Sequence, residues 1–256
     1  MKPARARRPA AVDVAIEGRL AFVTLARPAT GNVLDEEVMH GLGAAAEALD
    51  DVDGLCAVVL RARGPVFSRG LPARTGWPPP AWPDGVGAIA RLAVPLVAAI
   101  RGDATGWGLA LALACDLRVV AAGARLSSPE VAGGGLPGGG LTQRLTRLVG
   151  PARAAEMLLL GTAPSGRTAV AWGLATRAVA AAVVEREALG MARALATRGP
   201  LALRFAKEAA LRALDLPLDD GVRLEHDLYV LLQTTRDRRE GVRAFLERRP
   251  PRFGGE

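Results

Sequence analysis

Three glycine-bearing junctions carry most of the chemistry this sequence can offer. The first is GPVFSRGLP (64–72), the second RGDATGWGLALALACD (101–116), and the third SPEVAGGGLPGGGLTQRL (128–145). The first two follow apolar, strand-like runs, CAVVLRA and LVAAI. A strand that turns into a helix at glycine presents backbone N–H groups without intrahelical partners, and such groups hold anions and developing oxyanions. None of the three is a phosphate loop, because GK[ST] is absent, and the second lacks the G-x-G-x-x-G of a dinucleotide site. Only His40 and His226 exist, each in a helix-like segment, so a Ser–His–Asp triad has little support. Two separated cysteines, Cys56 and Cys115, give no zinc-ligand spacing. Acid–base work therefore falls to carboxylates. Most of them sit on charged helical faces, whereas Glu130 stands in Ser-Pro-Glu-Val beside a glycine run and in apolar company.

The elements that position these junctions follow from periodicity. VDVAIEG and LAFVTL read as two short strands joined at Gly18–Arg19. A helix is predicted from Asp35 to about Asp50, with Val38, Leu42, Ala45, Ala46 and Leu49 at helical spacing and acids in its first turn. CAVVLRA is a continuous apolar strand of the buried kind, LVAAI (96–100) is again a buried strand, and LRVVAA is a further strand. Gly64 to Gly87 is rich in turns, and its prolines argue against a regular element. GLALALACD and LTQRLTRLVG are helix candidates, and from Pro151 onward only ATRAV (175–179) reads as a strand. Strands alternating with helices predict an α/β fold with a parallel sheet. The expected organisation is a basic head over 1–11, a core over 12–193 and an all-helical region over 194–256.

Composition narrows the classes. Half of the 256 residues are hydrophobic and 23% are charged, which excludes a disordered chain. The tract from Leu92 to Cys115 is interrupted by Arg101 and Asp103, short of the ~20 apolar residues a membrane span needs. The net charge of +7 raises nucleic acid as a partner, but the basic residues are scattered, aromatics are only 4%, and no basic stripe marks one helix. Of 33 basic residues only Lys2 and Lys207 are lysine, which points to a compositional habit rather than a binding surface. The amino-terminal residues show no apolar signal core and both cysteines lie in apolar runs, so a reducing cytoplasm is the expected location.

Six ordered motifs then bring a resemblance. They are R-P-x-x-x-N (Arg27, Pro28, Asn32), F-S-x-G (Phe67, Ser68, Gly70), the run from Pro95 to Asp116, P-E-V (129–131), P-G-x-G-x-T-Q-R-L (137–145) and A-F-L-E-x-R-x-P-x-F (244–253). Together they resemble the crotonase superfamily, the enoyl-CoA hydratase/isomerase family, over about Val12 to Phe253. The resemblance implies a spiral of ββα units with a carboxy-terminal helical trimerisation region. It also implies acyl-CoA thioester substrates, no cofactor beyond the coenzyme A of the substrate, no metal, and a homotrimer or dimer of trimers. Two backbone amides, of Leu71 and Trp107, would hold the thioester oxygen as it becomes an enolate, each worth about 3 kcal/mol. Glu130 would be the catalytic carboxylate. Ser68, Arg69, Gly70 and Gly106 would border the substrate, and Trp77 and Trp82 are candidates for lining an acyl pocket.

The departures from the family pattern bear on the reaction. Hydratases of this family use two glutamates; the second matches Glu130, but Ala110 occupies the position of the first. Trp107 replaces the middle glycine of a triple, and Pro72 replaces an acid. A single carboxylate beside an oxyanion hole suits the shift of a Δ3 double bond to Δ2, with Glu130 taking the C2 proton and delivering it to C4. The alternatives are a hydratase with a non-standard second acid, for which Asp103 is the candidate, and a catalytically silent CoA-binding trimer. The plainer readings are that Glu130 caps the glycine loop, that Trp107 fills core space, and that Asp116 pins structure.

Overall fold

The structure is a computed structural model that describes residues 10–72 and 82–256; Trp77 lies outside the described residues. It is a mixed α/β fold. The chain opens with β1 (Val12–Glu17) and β2 (Leu20–Leu25), an antiparallel hairpin turned at Gly18, followed by α1 (Glu36–Asp50). Asp35 caps α1 by accepting from the Val38 amide at 3.0 Å. The face of α1 carrying Val38, Leu42, Ala45, Ala46 and Leu49 is buried, as its spacing predicts. Next come β3 (Ala57–Ala62), α2 (Gly85–Arg91), β4 (Leu96–Ile100), β5 (Ala104–Thr105), α3 (Trp107–Leu113), β6 (Leu117–Ala121) and β7 (Leu126–Ser127). The chain continues with α4 (Leu141–Leu159), α5 (Gly166–Ala171), β8 (Arg177–Val179), α6 (Val184–Ala196), α7 (Pro200–Arg212), α8 (Leu218–Gln233) and α9 (Arg236–Leu246).

Six strands form one sheet in the order β1-β2-β3-β4-β6-β8, parallel from β2 onward. The interior strands β3, β4 and β6 pack against α6 and are buried along most of their length, with Arg61 in β3 and Arg118 in β6 as their only charged residues. The second sheet is minimal, β5 beside β7, and the backbone at Ser68 extends it by one bridge to Ala104. That small sheet positions all three glycine-bearing junctions.

The helix α2 corrects the expectation that Gly64 to Gly87 holds no regular element. Asp84 stops the proline-rich run and starts the helix by accepting from the Gly87 amide at 2.8 Å. A cap of this kind outweighs the poor propensity of the two glycines in the first turn. Within α4 the backbone breaks at Gly150, with φ 78° and ψ 164°, where Pro151 can continue no hydrogen bond from behind. Among the described residues no helix is long and apolar enough to cross a membrane.

Candidate active site

The site begins with Asn32, which is buried at φ 52°. Its Nδ2 donates to the carbonyls of Arg63 and Val66, both at 2.9 Å, and its Oδ1 accepts from the Arg27 amide at 3.0 Å. One amide side chain thus ties the chain after β2 to the loop after β3. That loop then lies along β5: the Phe67 and Ser68 amides donate to the Asp103 carbonyl, and the Thr105 amide donates to the Ser68 carbonyl at 3.0 Å. Ser68 is fully buried; its hydroxyl donates to the Asn32 carbonyl at 2.8 Å and accepts from the Gly70 amide at 3.1 Å. Its side chain shapes the loop and turns no free hydroxyl toward a substrate.

Gly70 has φ 79°, and a β-carbon there would stand 2.7 Å from the Thr105 carbonyl oxygen and 3.2 Å from the Trp107 nitrogen. Only glycine allows this approach. It brings the peptide leading to Leu71 against the backbone entering α3, so the Leu71 and Trp107 amides neighbour each other. The Leu71 amide donates to no group among the described residues.

Glu130 enters from the other side of the small sheet. Thr105 pairs with Ser127 across β5 and β7, with a 3.1 Å bond between their hydroxyls. The Gly106 amide donates to the Ser127 carbonyl at 2.8 Å. Two residues after β7, Pro129 turns the chain so that the Glu130 carboxylate returns over Gly106. A β-carbon on Gly106, whose φ is 54° and ψ −121°, would overlap Glu130 Oε1. The other carboxylate oxygen accepts from the Ser128 hydroxyl at 2.7 Å. The carboxylate is therefore aimed at the residue immediately before Trp107. What holds the glycine run is the Glu130 carbonyl, which accepts from Gly133 and Gly135, so the side chain itself does not cap the loop.

Toward the end of the run Gly139 packs against the Trp107 ring and the Ala110 methyl; Arg144 Nη1 donates to the Gly139 carbonyl at 2.7 Å. Burial lowers the pKa of Arg144. Trp107 is only 7% exposed and Ala110 not at all. Asp103 is exposed, and its carboxylate accepts from the Arg125 amide at 2.8 Å, which fastens the start of β5 to the start of β7. That bond gives Asp103 a structural task at the end of β5 away from Trp107. No other acid is concealed in 73–81, a stretch whose sequence contains neither Asp nor Glu.

The remaining candidates fall into place by contact. Arg69 is exposed, lies along Gly31 and pairs with no carboxylate among the described residues. Trp82 is half-buried against the core ahead of α2. His40 and His226 are exposed on helices, apart from the site. Asp116 accepts from the Leu96 amide and from Lys207, and so pins α7 to the sheet. Two contributors carried no explicit expectation: Asn32 as the clasp of the loops, and Ser128 as the donor that orients Glu130. The Ser-Ser-Pro-Glu sequence held the second signal, a hydroxyl two residues before the acid.

The family described as "Enoyl-CoA hydratase/isomerase" matches residues 15–256. A probable enoyl-CoA hydratase of Rhizobium meliloti (strain 1021) is 35% identical over 94% of this chain and 96% of its own. The (E)-benzylidenesuccinyl-CoA hydratase of Thauera aromatica is 35% identical, with 95% of this chain and 99% of that protein covered. The crystal structure of an enoyl-CoA hydratase from Bacillus anthracis superposes with a TM-score of 0.90 at 32% identity, covering 96% of this chain and all of that one. With a matching family over nearly its whole length, close relatives of equal length and the same fold, this chain belongs to the enoyl-CoA hydratase/isomerase family.

Proposed function

We propose that this acyl-CoA enzyme transfers a proton within an enoyl thioester, moving a C3–C4 double bond to C2–C3, with Glu130 as its one base and acid. The observation that carries the reading is the Glu130 carboxylate packed on Gly106, one residue from the Trp107 amide, with Ala110 and an occupied Asp103 offering no second acid. The thioester oxygen would accept from the Leu71 and Trp107 N–H groups. Glu130 would remove the C2 proton, and the electron pair would pass into a dienolate whose charge the two amides hold. The protonated carboxyl would then return the proton at C4. Arg69, exposed and without a carboxylate, suits a phosphate of the coenzyme A.

A 3-enoyl-CoA in deuterated water tests this by nuclear magnetic resonance. Glu130→Gln should lower isomerisation about 10²–10⁴-fold, the span of general acid–base contributions. Unchanged turnover removes Glu130 from the role. The hydratase names of the relatives favour a second reading, hydration of a 2-enoyl-CoA. Rapid formation of 3-hydroxyacyl-CoA by the unaltered enzyme would establish it in place of the first.

The carboxy-terminal helices support assembly into the homotrimer, or dimer of trimers, that the family resemblance implies. Leu218 on α8 and Phe245 on α9 are 81% and 83% exposed, and Leu214 and Leu246 are exposed as well.

A further inference from the structure

The Glu130 carboxylate packs on Gly106, and the helix that starts at the next residue turns an apolar pair toward the glycine run. Trp107 and Ala110 stand one helical turn apart on α3 and share a face. Both meet Gly139: a β-carbon there would lie 3.0 Å from Trp107 Cε3 and 3.1 Å from the Ala110 methyl. The glycine run is held at both ends. Its start hydrogen-bonds to the Glu130 carbonyl and its end to Arg144, so Gly139 cannot withdraw without breaking both attachments. Adding water to an enoyl thioester places H on C2 and OH on C3, which requires a water held near C3 and a group that takes its proton. Moving the double bond requires only that the proton leaving C2 arrive at C4.

We infer that Trp107 is the specificity-determining residue of this site, its indole seated on Gly139 beside Ala110 so as to exclude the water that hydration would consume. The missing carboxylate at Ala110 is then half of the device. A glutamate placed there would meet the ring and the Gly139 backbone before it met any water. The Trp107 amide serves the thioester oxygen, while the Trp107 side chain decides whether a water can reach C3. This inference rests on the reading of Glu130 as the single base.

The experiment uses one substrate, crotonyl-CoA in deuterated water, and reads two products from each enzyme by mass spectrometry. Removal of a proton from C4 and its return from a carboxyl that has exchanged with the solvent puts deuterium on C4, and hydration gives 3-hydroxybutyryl-CoA. Their ratio within one sample is independent of the fraction folded. The unaltered enzyme should deuterate C4 with little hydrate. Trp107→Ala should raise the hydrate-to-deuteration ratio about tenfold or more, Trp107→Ala with Ala110→Glu should raise it further, and Trp107→Phe should hold it near the starting value. A ratio within about twofold of the unaltered enzyme in Trp107→Ala overturns the inference, as does an equal rise from Ala110→Glu alone. Failure of the underlying reading looks different: C4 deuteration survives Glu130→Gln, or the unaltered enzyme already hydrates faster than it deuterates.

Discussion

At the scale of single residues the site depends on how one carboxylate is aimed. Glu130 is flanked by a proline that sets its backbone and a serine that sets its side chain. The Ser128 hydroxyl donates to Oε2 at 2.7 Å, which leaves Oε1 over Gly106 as the oxygen for the proposed proton transfer. Ser128 is itself buried, so no water replaces it when it is removed. A hydrogen bond to a charged acceptor is worth about 1.5–3 kcal/mol. Ser128→Ala is therefore expected to lower the turnover of a 3-enoyl-CoA about tenfold or more while KM changes little, since the hydroxyl positions the base and does not touch the thioester. Steady-state kinetics with 3-hexenoyl-CoA checks it. A matching loss in KM instead would mean that Ser128 holds substrate.

At the scale of elements, the small sheet of β5 and β7 brings three distant loops together, and a buried ion pair holds the large sheet behind it. Lys207 on α7 reaches Asp116 at 2.8 Å and the Val94 carbonyl at 2.9 Å, with its side chain only 8% exposed. In a chain whose only other lysine is Lys2, this lysine supplies a compact ammonium that reaches both acceptors. Lys207→Ala strands the Asp116 carboxylate and should destabilise the fold by about 3 kcal/mol. Urea denaturation followed by circular dichroism gives the value, and turnover per folded molecule should be retained.

The elements also show what can be read in advance. The helix α1 and the strands β3, β4 and β6 are legible because burial imposes a period on them, 3.6 for the helix and a continuous apolar run for the strands. Glu130 is legible because a lone acid in apolar company is conspicuous. By contrast β5 and β7 are two residues each, too short for any period, and α2 hides behind four prolines with glycines in its first turn. Ser68 resembles a substrate contact by position, yet its hydroxyl points inward to Asn32. Asp103 resembles a second acid by chemistry, yet its partner is the Arg125 amide. Hydrogen-bond partners of this kind are set by which loops meet in space, and spacing along the chain does not record that.

At the scale of the whole molecule, the core and the carboxy-terminal helices make opposite demands on solvent. The helix α8 buries only Leu228, and α9 buries only Asp237 and Ala244, while Leu218, Val222, Leu231 and Phe245 face outward. Apolar side chains left exposed over consecutive helices suit the proposed assembly. Light scattering after gel filtration should give a multiple of three of the 26.6 kDa chain, and Leu218→Glu with Phe245→Glu should lower that mass. A 26.6 kDa species for the unaltered protein would contradict the assembly.

The core is closed enough to hold a proton on a thiol. Burial, with the Asp116 carboxylate adjacent, pushes Cys115 from its ordinary 9.0 up to about 12, and burial raises Cys56 as well. Between those two values the unfolded chain releases the Cys115 proton while the folded one keeps it. The unfolded state then binds fewer protons, so stability falls as pH rises from about 9 toward 12. Cys115→Ala should flatten that slope in urea midpoints taken between about pH 8 and 10.5, leaving only the contribution of the other groups. In the folded protein at pH 8 a disulfide reagent should find neither thiol, and both should react once urea opens the chain. Rapid labelling of Cys115 without urea would mean that the α3–β6 corner opens on its own.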